Sequence, residues 1–360
     1  MGTDPARSWS QAGGLLAGSL LAGCVGPAQP ASSLQLTGPV LPEGSAGSTG
    51  ETDGSTGGPS GDESTSEPAA VDSTGGSSGP LQDVGGMPDL GPLAPPGCKG
   101  KIDFLFLVSR APTMQTAQQR IVDAFADFHA TIAAKFADFD YHIMVVDGDA
   151  EWGDWTCNET CTPEGCPWPE FPCHLLDDVT VCDDTMGAGT IMNGGEFASN
   201  KWCGVVGGRR YLTRDQPNLA ETFACVAQVG TNGYQALGAA LTAAVSPEMN
   251  GPGGCNQGFL RGDALLMVTF VMGGIDPYSE GTAEAWAQKV IAAKHGDPRS
   301  VVMFGLFAPN CVDDKQDRLC QMVQMFPYWQ VESNLVEDYG PAFDSATDMV
   351  AQACSEFIPQ

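Results

Sequence analysis

Four near-continuous apolar runs of strand length constrain this chain most: "IDFLFLV" (Ile102–Val108), "YHIMVV" (Tyr141–Val146), "ALLMVTFVM" (Ala264–Met272) and "VVMFGLF" (Val301–Phe307). Runs without polar alternation suit strands covered on both faces, as in a parallel sheet. Helical spacing fills the gaps. Met114–Phe136 carries Ile121, Phe125, Phe128 and Ile132 at intervals of three and four, which places them on one helix face. "TNGYQALGAALTAAV" predicts a second helix, with Leu237, Leu241 and Val245 together; Thr282–His295 and "AFDSATDMVAQAC" predict two more, and "YWQVES" a fifth strand. Strands alternating with helices predict an α/β domain of three layers, a mostly parallel sheet with helices on both faces. Ligand crevices in such sheets open at the carboxyl ends of strands. "SRAPT" and "GGIDPYS" follow two of the strands and fall there.

The pattern stops between Asp147 and Asn218, where six cysteines (157, 161, 166, 173, 182 and 203) accompany Trp152, Trp155, Trp168 and Trp202. A structureless stretch of that length is unusual inside a compact domain. We read residues of about 148–218 as an insertion stapled by its own disulfides, within a domain spanning 98–360.

Residues 25–97 contain no Lys or Arg and are built mainly of Gly, Ser, Thr, Pro, Asp and Glu. Such a segment buries too little apolar surface to offset the entropy of ordering it. It predicts a disordered tether with a reach of about 45–50 Å. Ahead of it, residues 1–24 have Arg7 and the short apolar stretch "GGLLAGSLLAG", the pattern of an export signal. That stretch is shorter than the roughly 20 residues a membrane span needs. Leu21-Ala22-Gly23-Cys24 resembles a bacterial lipobox, which implies lipidation of Cys24 and a cell-envelope protein held at the bacterial outer membrane or cell surface.

Thirteen cysteines occur in the chain, and twelve of them lie from Cys98 to Cys354. An even number behind an export signal predicts disulfides formed in an oxidising compartment. Twelve cysteines allow about ten thousand pairings. Cys98 with Cys354 is the one pairing we single out, since the two bracket the domain and domain termini commonly lie close together. The net charge of −28 excludes nucleic acid as a natural partner, because a phosphate backbone is held by Lys and Arg.

The stretches "KIDFLFLVSRAPTM", "VGTNGYQALGAAL", "LLMVTFVMGGID" and "GAGTIMNG…CGVVGGRRYLT" together resemble a von Willebrand factor A (vWA) domain of the cysteine-rich kind found in bacterial lipoproteins. The resemblance covers about Cys98 to Cys354. It implies a Rossmann-like sheet and a metal-ion-dependent adhesion site at the carboxyl ends of the strands. Hard oxygen ligands of that kind suit Mg²⁺ or Mn²⁺. Carried over, the first-loop Asp position is Ser109, the first Ser is Ala111 and the second is Thr113. The second-loop Thr falls on Thr231, and the third-loop Asp on Gly273. Both carboxylates are missing, and Arg110 adds a positive charge that repels a cation. The expectation is a degenerate site with no divalent cation. Asp276, three residues past Gly273, is a candidate substitute ligand; its alternative role is to start a turn before Pro277.

Other signals have two readings each. The spacing Cys157, Cys161, Cys166, Cys173, with His174 adjacent, could hold zinc, though an oxidising compartment favours disulfides and leaves His174 on the surface. Arg261-Gly262-Asp263 spells an integrin-recognition tripeptide but runs directly into a strand. Asp147, Asp149, Glu151 and Asp154 form either a loose Ca²⁺ site or a solvated acidic loop. Trp152, Trp155 and Trp168 beside them form either a stacking platform for a glycan or peptide, or packing for the disulfides. The chain lacks a Gly-x-Ser-x-Gly elbow, a His-Glu-x-x-His helix and a phosphate loop, and no enzyme is expected. The reading these observations carry is an adhesion-type binding protein for an extracytoplasmic protein or glycan, with Arg110 and Thr113 as partner contacts. The alternatives are an exported hydrolase with its site in the insertion and a purely structural envelope protein.

Overall fold

A computed structural model describes Cys98, residues 100–307, Cys311 and residues 317–356. The export signal, Cys24 and nearly all of the tether expected from the sequence lie outside the described residues. In chain order the elements are β1 (Lys101–Val108), α1 (Gln115–Lys135), β2 (Asp140–Asp147), α2 (Trp155–Glu159), β3 (Met192–Asn193), β4 (Lys201–Trp202), β5 (Leu212–Thr213), α3 (Leu219–Ala227), α4 (Leu237–Ala244) and α5 (Pro247–Asn250). They continue with β6 (Leu265–Met272), α6 (Ala283–Ala293), β7 (Val301–Phe307), α7 (Arg318–Val323), β8 (Tyr328–Ser333) and α8 (Gly340–Glu356). No described helix is long and apolar enough to cross a membrane.

Six strands form one sheet in the order β5-β2-β1-β6-β7-β8. All neighbours are parallel except β5, which runs antiparallel to β2. Alternate side chains of the central strand serve different cores. Phe104, Phe106 and Val108 pack with α1, α3 and α8. Leu105 and Leu107 pack with α4, α6 and α7. Period-two geometry sends successive side chains to opposite faces, so a strand apolar at nearly every position needs helices on both.

One position breaks the apolar run. Asp103 is fully buried on β1, where Arg261 donates to it through its backbone N–H (2.8 Å) and through Nε (2.8 Å). Asp263 pairs with Lys101 at 2.6 Å. The Arg-Gly-Asp tripeptide therefore seals the amino-terminal end of the sheet, and both its charges are taken.

Two expectations need correction. The helix predicted over "TNGYQALGAALTAAV" begins only at Leu237. Ahead of it, Gly233 N–H donates to the Arg110 carbonyl (3.1 Å) and Ala236 N–H to the Gly148 carbonyl (3.1 Å), so neighbouring loops claim the N–H groups a helix would have used. The insertion is also less self-contained than its cysteines imply. Cys157–Cys166 and Cys161–Cys173 close it internally. Cys182–Cys255 and Cys203–Cys225 instead bolt it to the body, and β5 returns it to the sheet edge. It keeps a small core of its own around Trp152, Phe171 and Met192.

Cys98 and Cys354 are joined, across a sequence separation of 256 residues. Linking the ends of so long a loop restricts the unfolded chain strongly. The double substitution Cys98→Ala/Cys354→Ala should cost about 3–5 kcal/mol in denaturant unfolding. Non-reducing peptide mapping of the native chain should recover the two peptides as one cross-linked species.

Candidate functional site

The strand order reverses about β1, with β2 on one side and β6 on the other. This places a crevice at the carboxyl ends of β1 and β6. Val108 lies opposite Asp147 on β2 and Val271 on β6, so the next residues of three loops meet there. The structure brings the sequence-predicted positions to this end but joins them through neutral groups. Ser109 N–H donates to the Val271 carbonyl (3.0 Å). Its hydroxyl donates to Gln235 Oε1 (2.9 Å), and the Gln235 amide donates in turn to the Ile275 carbonyl. Gln118 Nε2 donates to the carbonyls of Ser109 (3.0 Å) and Gly230 (2.8 Å). Thr231 is buried and donates to Glu196 Oε2 (3.3 Å). Gly273 abuts Thr113 so closely that a Cβ there would lie 3.0 Å from the threonine hydroxyl and 2.7 Å from Met114 Sδ. Thr113 is exposed and Ala111 half-buried.

Asp276 is not free to serve as a substitute ligand. Its Oδ2 accepts from Gly238 N–H (2.7 Å) and from the Ser279 hydroxyl (2.7 Å), and its Oδ1 from Ser279 N–H (3.0 Å). It caps the start of α4 from across the crevice and closes its own turn. Among the described residues no group of three His, Cys, Asp or Glu side chains is placed to hold a metal ion.

Arg110 overturns a second expectation. It is fully buried, so it cannot reach a partner. β1 and β2 are in register, which carries Arg110 alongside Asp149, and its side chain turns inward. Nη1 donates to the Glu151 carbonyl (2.8 Å), and Nη2 donates to the carbonyl of Gly153 and to Asn232 Oδ1 (3.5 Å). Asp147 Oδ2 and Asp149 Oδ2 lie 3.6 and 3.8 Å from Nη1. The acidic cluster that could have bound Ca²⁺ thus surrounds the protein's own cation. Asp154 contributes differently, accepting from Thr156 and Cys157 N–H at the start of α2 and from Asn232 Nδ2 (2.9 Å) and Trp168 Nε1 (3.2 Å). Gly233 completes the cage, since a Cβ there would sit 2.6 Å from Asp149 Oδ2 and 2.8 Å from Arg110 Nε. Burial pushes the Asp147 carboxyl up to about 6 against the opposing pull of Arg110.

Gln118, Asn193, Asn232 and Gln235 were not legible as site residues. Gln118 did leave a trace: a polar residue standing three before Ile121 in an otherwise apolar helix stripe. Asn193 Nδ2 donates to Asp147 Oδ2 (3.0 Å) from within the insertion, where no periodicity exists to mark it.

The tryptophans separate. Trp152 is buried and donates to the Met192 carbonyl (3.3 Å), and Trp168 is half-buried. Trp155 is 61% exposed, and on the same rim Tyr234, Tyr278 and Ile275 are 57%, 60% and 53% exposed. The two tyrosine rings meet edge-on at 5.2 Å. A cavity of about 180 Å³ opens among Asp149, Glu151, Gly153, Trp155, Asn232 and Tyr234. The insertion's own cavity, about 360 Å³, is walled by Trp168, Phe171, prolines and the disulfides of Cys161, Cys166 and Cys173, with no carboxylate, imidazole or amine among its lining residues. The cysteines once open to a zinc reading are all in disulfides, and His174 is exposed.

No family model matches the chain, and no curated protein matches it. Among solved structures it is similar to the pilus adhesin SpaC from Lactobacillus rhamnosus GG, with a TM-score of 0.29 and 8% identity, over 71% of this chain and 31% of the adhesin. The match therefore spans under a third of that protein's length, and at that score it carries no argument. What the structure establishes is an α/β domain with a mostly parallel six-stranded sheet flanked by helices. The six disulfides among the described residues mark a protein of an oxidising, extracytoplasmic setting.

Breaking a buried ion pair by removing one partner leaves an uncompensated charge. Arg110→Met should therefore destabilise the chain by about 3–5 kcal/mol at pH 8. The folded carboxyls can relieve this only by binding protons, so the deficit should shrink as pH falls through about 6 toward 5. Urea melts of variant and wild type at the two pH values measure this. A deficit equal at both would assign the loss to packing instead of charge.

Proposed function

We propose that this chain is an extracytoplasmic binding protein: a three-layer vWA-like domain, lipid-anchored to the cell envelope through Cys24, that binds a protein or glycan partner at its carboxyl-terminal rim without a divalent cation. The observation that carries this reading is the division of labour at that end of the sheet. Arg110 occupies the cation's role beneath the surface, and Trp155, Tyr234, Ile275 and Tyr278 stand exposed above it. Aromatic side chains dominate the energetics of recognition surfaces, and four large apolar groups gathered on one rim form a patch of the kind that marks interaction sites. The neutral bonds through Ser109, Gln118 and Gln235 hold the loops without metal.

The test uses the full oxidised chain, against intact bacterial cells and an array of glycans and peptides. Tyr234→Ala/Tyr278→Ala should weaken whatever binding is found by about tenfold or more, with no change in melting temperature. EDTA should leave binding intact, and Mg²⁺, Mn²⁺ or Ca²⁺ should not raise the melting temperature, whereas an ion bound at 100 times its dissociation constant would stabilise by about 2.7 kcal/mol. Binding that ignores the tyrosines, or that EDTA abolishes, rejects the reading.

A further inference from the structure

We infer that the cavity between Glu151, Trp155 and Tyr234 receives a lysine or arginine side chain of the partner. This deepens the rim-binding reading and rests on it. The first argument is the sign of the local charge. Arg110 is the cation nearest the cavity, and its guanidinium is enclosed by Asp147, Asp149 and three carbonyl or amide oxygens. No lysine or arginine lines the cavity itself. Glu151 is exposed at the mouth, and among the described residues its carboxylate accepts no hydrogen bond. Partial burial and the neighbouring Asp149, Asp184 and Asp154 raise its pKa, with Arg110 opposing more weakly. Among the described residues no cation pairs with the Glu151 carboxylate, so it stands at the mouth open to one from outside.

The second argument is shape and surface. Trp155 and Tyr234, both largely exposed, line the cavity, and aromatic faces attract ammonium and guanidinium groups. The inner wall includes backbone at Gly153 and Gly233, with the Asn232 amide beside it. A volume of about 180 Å³ falls below the roughly 300 Å³ at which drug-sized sites begin, so it accepts one extended side chain and not a folded segment. A charged head near the Glu151 carboxylate, with its aliphatic stem along Trp155 and Tyr234, matches the chemistry of these lining residues. The third argument operates at longer range. A net charge of −28 speeds the approach of basic partners and repels acidic ones. Arg110, expected from the sequence as a partner contact, is buried and already paired, so the charge offered to a partner here is Glu151's.

The test is a titration of the ¹⁵N-labelled full chain, reading the Trp155 indole N–H resonance, assigned by its loss in Trp155→Phe. The probes are N-acetyl-lysine amide, N-acetyl-arginine amide, N-acetyl-glutamate amide and maltose. The lysine or arginine probe should shift Trp155 saturably, and the glutamate probe and the sugar should not. Glu151→Gln should weaken the response by roughly three- to fivefold, with the melting temperature unchanged, and high salt should weaken it further. The inference is overturned if no probe moves Trp155, if glutamate or maltose moves it equally, or if Glu151→Gln titrates as wild type. Should Trp155 stay silent while Tyr234→Ala/Tyr278→Ala still abolishes array binding, the cationic partner falls and the rim stands. Should Trp155 titrate with lysine or arginine while array binding ignores the tyrosines, the cavity's preference stands and the rim reading fails.

Discussion

A guanidinium sealed from solvent organises the carboxyl-terminal end of this sheet. Arg110 leaves β1, crosses toward the end of β2, and collects oxygens from Glu151, Gly153 and Asn232 beside the carboxylates of Asp147 and Asp149. Together with Arg110 itself, those groups join three separate stretches of chain. Without a cation between them, Asp147 and Asp149 would repel one another inside a largely water-free space, and burial of either would be costly. With it, the insertion's first turn and the loop before α4 acquire a fixed position relative to the sheet. The hydrogen bonds of Ser109, Gln118 and Gln235 extend the same framework toward β6.

The framework accounts for why the rim can present large apolar side chains. The segments that carry Trp155, Tyr234 and Tyr278 are anchored from below by Asp154 at the start of α2, by Gly233 against Arg110, and by Asp276 with Ser279 at the start of α4. Exposed aromatics on anchored backbone lose less conformational freedom on binding than the same residues on a free loop. Rigidity beneath and apolar surface above are separate properties here, supplied by separate residues.

The sheet was readable in advance because burial on both faces leaves a plain signature: β1, β2, β6 and β7 are apolar almost throughout. α1 was equally plain from its stripe. The start of α4 was not, because "TNGYQ" has ordinary composition and its N–H groups are diverted to Glu196, Arg110 and Asp149, which are distant in sequence. α3 and β5 escaped notice for a related reason, lying in or beside a cysteine-rich region whose order comes from cross-links instead of periodicity. Arg110 itself was visible but pointed the wrong way. A charge in a loop ordinarily faces water, and only the strand register, which sets it against Asp149, shows that this one does not. Asp103 and Arg261 repeat the lesson at the opposite end of the sheet, where a carboxylate within an apolar run found its counter-ion more than 150 residues away.

The covalent closure of Cys98 onto Cys354 has a mechanical consequence. Tension applied to the chain ahead of Cys98 enters the domain at the amino end of β1, while a load on the rim acts at the opposite end of the same strand. The pull then runs along the strand axis, and the hydrogen-bonded ladders to β2 and β6 resist it together, as a bolt row resists shear, instead of opening one rung at a time. The Cys98–Cys354 bridge also hands part of the load to α8 before it reaches the sheet. A domain wired in this way transmits force through its central strand, with the edge strands β5 and β8 outside the line of pull.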